Sequence, residues 1–203
     1  MDDILLVDMD DVITVDGFLN ILNKYLGTSY TYDDFDSFYM QDIVPNKEDF
    51  FKWFINENMY DYCRLNDDCY EVLKELNDNF NLFIATSYIF KEIPKDSGHI
   101  LVQKFEYLKN NLPFIKPEQY VFISDKSILK AYARVDDRIS NLCDGEVKIL
   151  FSAYHNLSIS DDELHEKGIE RANNWCEVKK KLLRRGKKWV NGTKIILNYV
   201  RKY

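Results

Sequence analysis

Five short apolar runs rich in branched residues, at 4–7, 82–85, 120–123, 131–135 and 147–151, punctuate this chain, with helical patterns at 67–79, 100–111 and 174–185 falling between several of them. Runs of that length and composition read as buried strands. Strands joined through helical crossovers lie side by side in a parallel sheet, because only a crossover returns the chain to the same starting edge. The expected fold is therefore α/β, a doubly wound parallel sheet. Such sheets bind ligands at the carboxyl ends of their strands. Four of the five runs end there in polar or acidic residues: Asp8 and Asp10, Thr86 and Ser87, Ser124 to Lys126, and Asp136 with Asp137.

The first strand, Ile4-Leu5-Leu6-Val7, closes on Asp8-Met9-Asp10. Side chains alternate faces along a strand, but past its end the chain can curl and bring both acids to one place. Two carboxylates there suit a metal-assisted phosphoryl transfer, one as nucleophile and the other as proton donor. Taken singly, each feature has an ordinary structural reading. Asp-x-Asp is also an acidic loop, Thr-Ser after a strand a helix cap, a lysine a solvated side chain, and Asp136-Asp137-Arg138 a surface ion pair worth little. The ordered recurrence of all four at one edge of a sheet favours chemistry.

With 203 residues, 46% of them hydrophobic, the chain can bury a real core as one domain plus an insertion. No run approaches the ~18 apolar residues of a membrane span, and Met1-Asp2-Asp3 leads with acids directly into a core strand. Neither a span nor a signal peptide is expected, and a cytoplasmic location is the default. Cys63, Cys69, Cys143 and Cys176 contain no Cys-x-x-Cys pair, and His99, His155 and His165 are the only histidines, so the thiols read as reduced and structural rather than zinc-binding. The net charge of -7 hides an asymmetry: residues 179–203 hold ten Lys/Arg and no acid, leaving all 34 acids against the other 17 bases. An acidic body argues against duplex nucleic acid as the ligand, since phosphate contacts supply most of that affinity. In the basic tail Trp189, Val190, Ile195, Ile196, Leu197, Tyr199 and Val200 interleave with the bases. That pattern reads as an element docked on the acidic body, with contact to nucleic acid or an anionic surface as the alternative.

About 70 residues separate the first two strands, too many for a simple crossover. The segment 17–63 reads as a helical cap insertion, built from helices at 18–26 and 47–58 around an acidic, aromatic stretch. Residues 1–16 and 64–203 form the core in this reading. An insertion after the first strand would sit over the carboxylates as a lid. Tyr30, Tyr32, Phe35, Phe38, Tyr39, Phe50, Phe51, Trp53 and Phe54 concentrate in it. Most are expected to be its own core, with one or two left to offer flat faces to a nucleobase or another planar group.

Asp8-Met9-Asp10, Thr86-Ser87, Asp125-Lys126 and Asp136-Asp137, in that order and each after a strand, resemble the four motifs of the haloacid dehalogenase (HAD) superfamily of phosphatases. Within it, Phe122-Ile123-Ser124-Asp125-Lys126, the short spacing to Val135-Asp136-Asp137-Arg138, and Phe151-Ser152-Ala153-Tyr154-His155-Asn156 are similar to the 5'(3')-deoxyribonucleotidases. The resemblance runs to about Leu183. It implies a magnesium-dependent phosphomonoester hydrolase whose partner is a small nucleoside monophosphate. Asp8 would attack phosphorus, and Asp10 would protonate the leaving oxygen and then activate water. Magnesium would be held by Asp8, the main-chain carbonyl of Asp10 and an acid of the Asp136-Asp137 pair, Asp137 ahead of Asp136. Thr86 and Ser87 would bond the phosphoryl oxygens, Lys126 would neutralise their charge, and Lys104 would stand near the phosphate. Phe38 and Tyr39 match cap residues that meet the base.

Two positions depart from the pattern. Asp11 stands where the family carries Gly, at a place where positive φ is needed and Asp tolerates it better than most residues. Asp16 stands where an apolar aromatic is usual, which leaves base selectivity open. A different phosphomonoester as substrate, such as a sugar phosphate, and a catalytically silent nucleotide-binding or partner-interaction protein on the same scaffold remain alternatives. The sequence leaves 5' against 3' phosphate and a homodimer equally open.

Overall fold

The computed structural model describes residues 3–184, 187–190 and 193–196. β1 (Ile4–Val7) is a central strand because Leu5, Leu6 and Val7 are all apolar and all buried, as a strand covered on both faces requires. The chain leaves it through β2 (Thr14–Val15), α1 (Gly17–Leu26), α2 (Lys47–Phe54) and β3 (Arg64–Leu65). It then builds α3 (Cys69–Asn79), β4 (Asn81–Thr86), α4 (Gly98–Asn111) and β5 (Tyr120–Phe122). The second half supplies β6 (Ala133–Asp136), β7 (Val147–Phe151), α5 (Asp161–Glu166), β8 (Glu170–Ala172) and α6 (Trp175–Arg184).

Six strands form one parallel sheet in the order β5-β4-β1-β6-β7-β8. β1 pairs with β4 in the register Leu5 to Leu82 and Val7 to Ile84, and with β6 in the register Leu5 to Ala133 and Val7 to Val135. The chain therefore winds outward from β1 in one direction and then in the other. That doubly wound order opens a crevice at the carboxyl ends of β4, β1 and β6. All five expected strands are present, while β8, short and charged, is an addition at the edge.

Within 17–63 lie α1, α2 and several 3-10 turns, and the second helix is shorter than its sequence pattern suggests. The helix read at 47–58 ends at Phe54, where Asn56 N–H donates to the Trp53 carbonyl and Glu57 N–H to that of Phe54, both 3.0 Å, tightening the chain into turns. Asn58 then accepts from Tyr60 N–H and starts a separate 3-10 turn, Met59–Tyr62. Phe50, Phe51 and Phe54 are fully buried here. Phe90, from the loop after β4, packs 5.2 Å from Phe54 and 6.1 Å from Phe18, tying the segment to the sheet.

Gly17 opens α1 where a Cβ would come within 2.2 Å of the Cys63 sulfur. Gly17→Ala should therefore lower stability by about 1–3 kcal/mol in denaturant unfolding, as overpacking does. The pair Gly17→Ala with Cys63→Ala should recover most of that loss.

β9 (Lys187–Val190) and β10 (Thr193–Ile196) form an antiparallel pair in the basic tail. Whether their apolar side chains dock on the body lies outside the described residues. Of the tail's first bases, Lys179 pairs with Glu75 and Lys181 with Glu170. Among the described residues no helix is long and apolar enough to cross a membrane.

Candidate active site

Asp8 still belongs to the sheet, its N–H donating to the Val135 carbonyl at 2.9 Å, and the chain curls immediately beyond it. The Met9 carbonyl accepts from the N–H groups of Ile13 (2.8 Å) and Thr14 (2.9 Å), and Asp11 takes φ 58°. A left-handed residue here explains why glycine suits the position, and Asp is one of the few others that adopts it at modest cost. The Trp175 indole, fully buried, donates to the Val12 carbonyl at 3.1 Å and pins the turn to α6.

The turn turns Asp8 toward two neighbouring strand ends. Lys126 places its ammonium 2.7 Å from both Asp8 and Asp136. Asp136 has both oxygens engaged, Oδ2 by Lys126 and Oδ1 by the Arg138 N–H (3.0 Å) and the Asn141 amide (2.9 Å). Asp137 meets His155 Nε2 at 2.7 Å through Oδ2 and has no hydrogen-bond partner on Oδ1 among the described residues. Burial raises the Asp8 pKa, an effect the Lys126 charge opposes and Asp136 reinforces. Burial lifts Asp137 well above the carboxylate range, with the charges of Asp8 and Asp136 adding to it. Burial works against the Lys126 ammonium, yet the two acids outweigh it and its pKa stands above the ordinary lysine value. His155 is pushed down to about 4, by burial and then by the nearby Arg138 charge, so the imidazole is neutral.

Asp10 is held by a second group of residues. Its Oδ2 receives the ammonium of Lys104 at 2.5 Å and its Oδ1 the hydroxyl of Tyr60 at 2.7 Å. Lys104, 1% exposed on α4, also donates to the Thr86 hydroxyl at 2.6 Å, so three predicted residues meet at one ammonium. Ser87 lies beside them, its hydroxyl accepting from Ile89 N–H at 3.3 Å.

Above Asp10 and Lys104 opens a cleft lined by Phe38, Tyr39, Ser87, Lys91, Arg138 and Tyr154, among others. Phe38 and Tyr39 are more than a third exposed. Arg138 sits 4.5 Å from the Phe38 ring centroid and Lys91 3.7 Å from that of Tyr39, so each ring already has a cation on one face. Tyr154 braces this wall, donating to the Phe38 carbonyl at 2.9 Å and stacking on Tyr32 at 5.2 Å. Asp16 does not line the cleft; its carboxylate accepts from Arg64 Nε at 2.7 Å instead.

The ten residues singled out from the sequence thus gather at one end of the sheet. Sequence reasoning assigned no role to Tyr60, His155 or Tyr154. The last two lie inside a quoted motif stretch, whereas Tyr60 sits in an aperiodic turn with no pattern around it.

Ligand oxygens of Asp8, Asp136 and Asp137 lie within 4.8 Å of one another. Three buried carboxyl groups crowd around one ammonium, and the upward shifts of Asp8 and Asp137 record how poorly their charge is accommodated, a cost that a hard divalent cation would offset. An all-oxygen donor set suits magnesium.

A family model described as "5' nucleotidase, deoxy (Pyrimidine), cytosolic type C protein" matches residues 2–188. The 5'(3')-deoxyribonucleotidase of Bacillus subtilis (strain 168) is 30% identical over 196 residues, 90% of this chain and 100% of its own. Two solved structures share the fold. A haloacid dehalogenase-like protein of unknown function from Agrobacterium tumefaciens (str. C58) superposes with a TM-score of 0.51 at 12% identity, covering 89% of this chain and 97% of its own. A "predicted phosphatase" from Clostridium acetobutylicum does so with a TM-score of 0.50 at 17% identity, covering 91% and 99%. With the four motifs gathered at the carboxyl ends of this sheet and a family match over nearly its whole length, the chain belongs to the 5' nucleotidase, deoxy (Pyrimidine), cytosolic type C family, within the HAD superfamily of magnesium-dependent phosphomonoester hydrolases.

Proposed function

We propose that the protein hydrolyses nucleoside monophosphates as a 5'(3')-deoxyribonucleotidase, through an aspartyl-phosphate on Asp8. The observation that carries this reading is the cleft itself, whose lining brings Asp10 and Lys104 together with the flat rings of Phe38 and Tyr39. A ligand with a phosphoryl group at one end and a planar base at the other matches that arrangement. In this reading 17–63 is a cap over a core of 1–16 and 64–203. Four unpaired cysteines suit a reducing, cytoplasmic setting.

Asp8 attacks phosphorus, and the bond to the leaving oxygen breaks with its electron pair. Asp10 gives that oxygen a proton, so the nucleoside leaves neutral and Asp8 carries the phosphoryl group. Water then attacks, Asp10 takes its proton, and phosphate departs as the Asp8 carboxylate re-forms. Thr86 and Ser87 donate to the phosphoryl oxygens, while Lys126 and Lys104 offset the charge spread over them. Asp8, the main-chain carbonyl of Asp10 and Asp137 would hold magnesium. Asp137 is favoured over Asp136 because one of its oxygens is unengaged. Bound there, the ion supplies positive charge against the phosphoryl oxygens.

The test is phosphate release from deoxyribonucleoside and ribonucleoside monophosphates and from sugar phosphates, with magnesium and with chelator. Metal-dependent turnover that favours deoxyribonucleotides is expected. Turnover of sugar phosphates alone would overturn the nucleotidase reading but not the hydrolase, and nucleotide binding without turnover would point to a silent scaffold.

A further inference from the structure

We propose that Tyr60 is a positioning residue that fixes the carboxyl plane of Asp10 for proton transfer to the leaving oxygen. The proposal rests on the preceding reading in one respect, the role of Asp10 as proton donor. Asp10 lies within the curled turn and its side chain is 43% exposed, so packing alone does not hold it. The terminal torsion of an Asp side chain is broad and roughly two-fold. The Lys104 ammonium on Oδ2 is close to a point charge and leaves rotation about that torsion free. The Tyr60 hydroxyl, 2.7 Å from Oδ1, is a directional second donor on the other oxygen, and two donors on two oxygens define the plane.

Tyr60 is itself immobilised. It is 3% exposed, its ring lies 5.4 Å from that of Tyr107, and its 3-10 turn packs on both α1 and α4. The hydroxyl that orients the acid therefore comes from the exit of the 17–63 segment. Its placement depends on how that segment seats against the core.

A general acid matters in proportion to how poor the leaving group is. An alkyl oxygen, as in a nucleotide, needs a proton as the phosphorus–oxygen bond breaks, whereas p-nitrophenolate departs as the anion. The experiment compares kcat/KM for a deoxyribonucleoside monophosphate and for p-nitrophenyl phosphate in wild type, Tyr60→Phe and Tyr107→Leu. Phe keeps the buried ring and removes only the hydroxyl, while Tyr107→Leu loosens the same packing and leaves the hydrogen bond. Tyr60→Phe should lower the nucleotide-to-aryl ratio about tenfold, a modest part of what a general acid contributes. Tyr107→Leu should leave that ratio within twofold, about the scatter of such measurements. Equal losses on both esters in Tyr60→Phe, no loss on either, or the same ratio change in Tyr107→Leu would overturn the proposal. If wild type turns over other alkyl phosphates but no nucleotide, the nucleotidase reading fails and the ratio is read on that alkyl ester. Silence of wild type on every ester overturns both.

Discussion

Asp8→Asn protein should release phosphate from nucleoside monophosphates on the order of 1,000-fold more slowly than wild type, or worse, because no other group takes over a lost nucleophile. The amide keeps the shape of the carboxylate and can still accept from Met9 N–H, which donates to Asp8 at 2.7 Å, but its oxygen is a poor nucleophile. The same variant should melt no lower than wild type in chelator. Burial raises the folded-state pKa of Asp8, and the charge of Asp136 adds to that rise despite Lys126. A carboxyl group with a raised folded pKa contributes stability below its unfolded value, near 3.9, and loses it as pH climbs through the folded value. Above the unfolded value, burial of Asp8 therefore works against the metal-free fold, and a neutral amide removes that cost. Phosphate release at the wild-type rate by Asp8→Asn would sink the assignment of the nucleophile. A sharp drop in melting temperature would instead mean that the Lys126 pairing outweighs burial.

The contrast between activity and stability at one position reflects how the site is built. Asp8, Asp136 and Asp137 are crowded by the parallel register of β1 and β6, where Val7 pairs with Val135 and the acids follow at once. Strand ends of this kind are legible in a sequence because each buried run fixes where its next residues emerge. Ile4–Val7 and Val147–Phe151 form strands over the same residues that their apolar runs mark. Thr86, Lys126 and Asp136 are found by the same logic. β8 was not legible, since Glu170 and Arg171 carry charges within three residues and the strand exists only through its pairing with β7. Tyr60 was not legible for a related reason. Its direction is set by α1 and α4 packing on a 3-10 turn, a tertiary effect with no local period. Asp11 lies between these cases: the motif pattern marked the need for positive φ, and the structure supplies it at 58°. Asp16, a second departure from the pattern, is spent on an ion pair with Arg64 and does not reach the cleft, which no single-position comparison could reveal.

Lys126→Met should combine a large loss of rate with a large loss of stability, and a second substitution should separate the two. Lys126 is 5% exposed and its ammonium bridges Asp8 and Asp136 at 2.7 Å each. Met fills a similar volume, so the change is mainly electrostatic. Removing one partner from a buried ionic group leaves the others uncompensated, which typically costs about 3–5 kcal/mol. The two acids here face each other as well as the lost cation, and partial protonation softens the penalty as pH falls. Removing a cation that faces developing phosphoryl charge costs about 100-fold or more in rate. Pairing Lys126→Met with Asp136→Asn removes one of the two unmatched carboxylates, and with it their mutual repulsion, while keeping Asn141 and the Arg138 N–H as hydrogen-bond partners of the side-chain oxygen. Denaturant unfolding in chelator should then show most of the stability restored, with phosphate release still depressed by about 100-fold. Recovery of both together would mean that Lys126 only balances buried charge and that the phosphoryl oxygens are met by Lys104 alone. Recovery of stability without rate would assign Lys126 to the reaction, because the ion pair and the chemistry would no longer share a single cause.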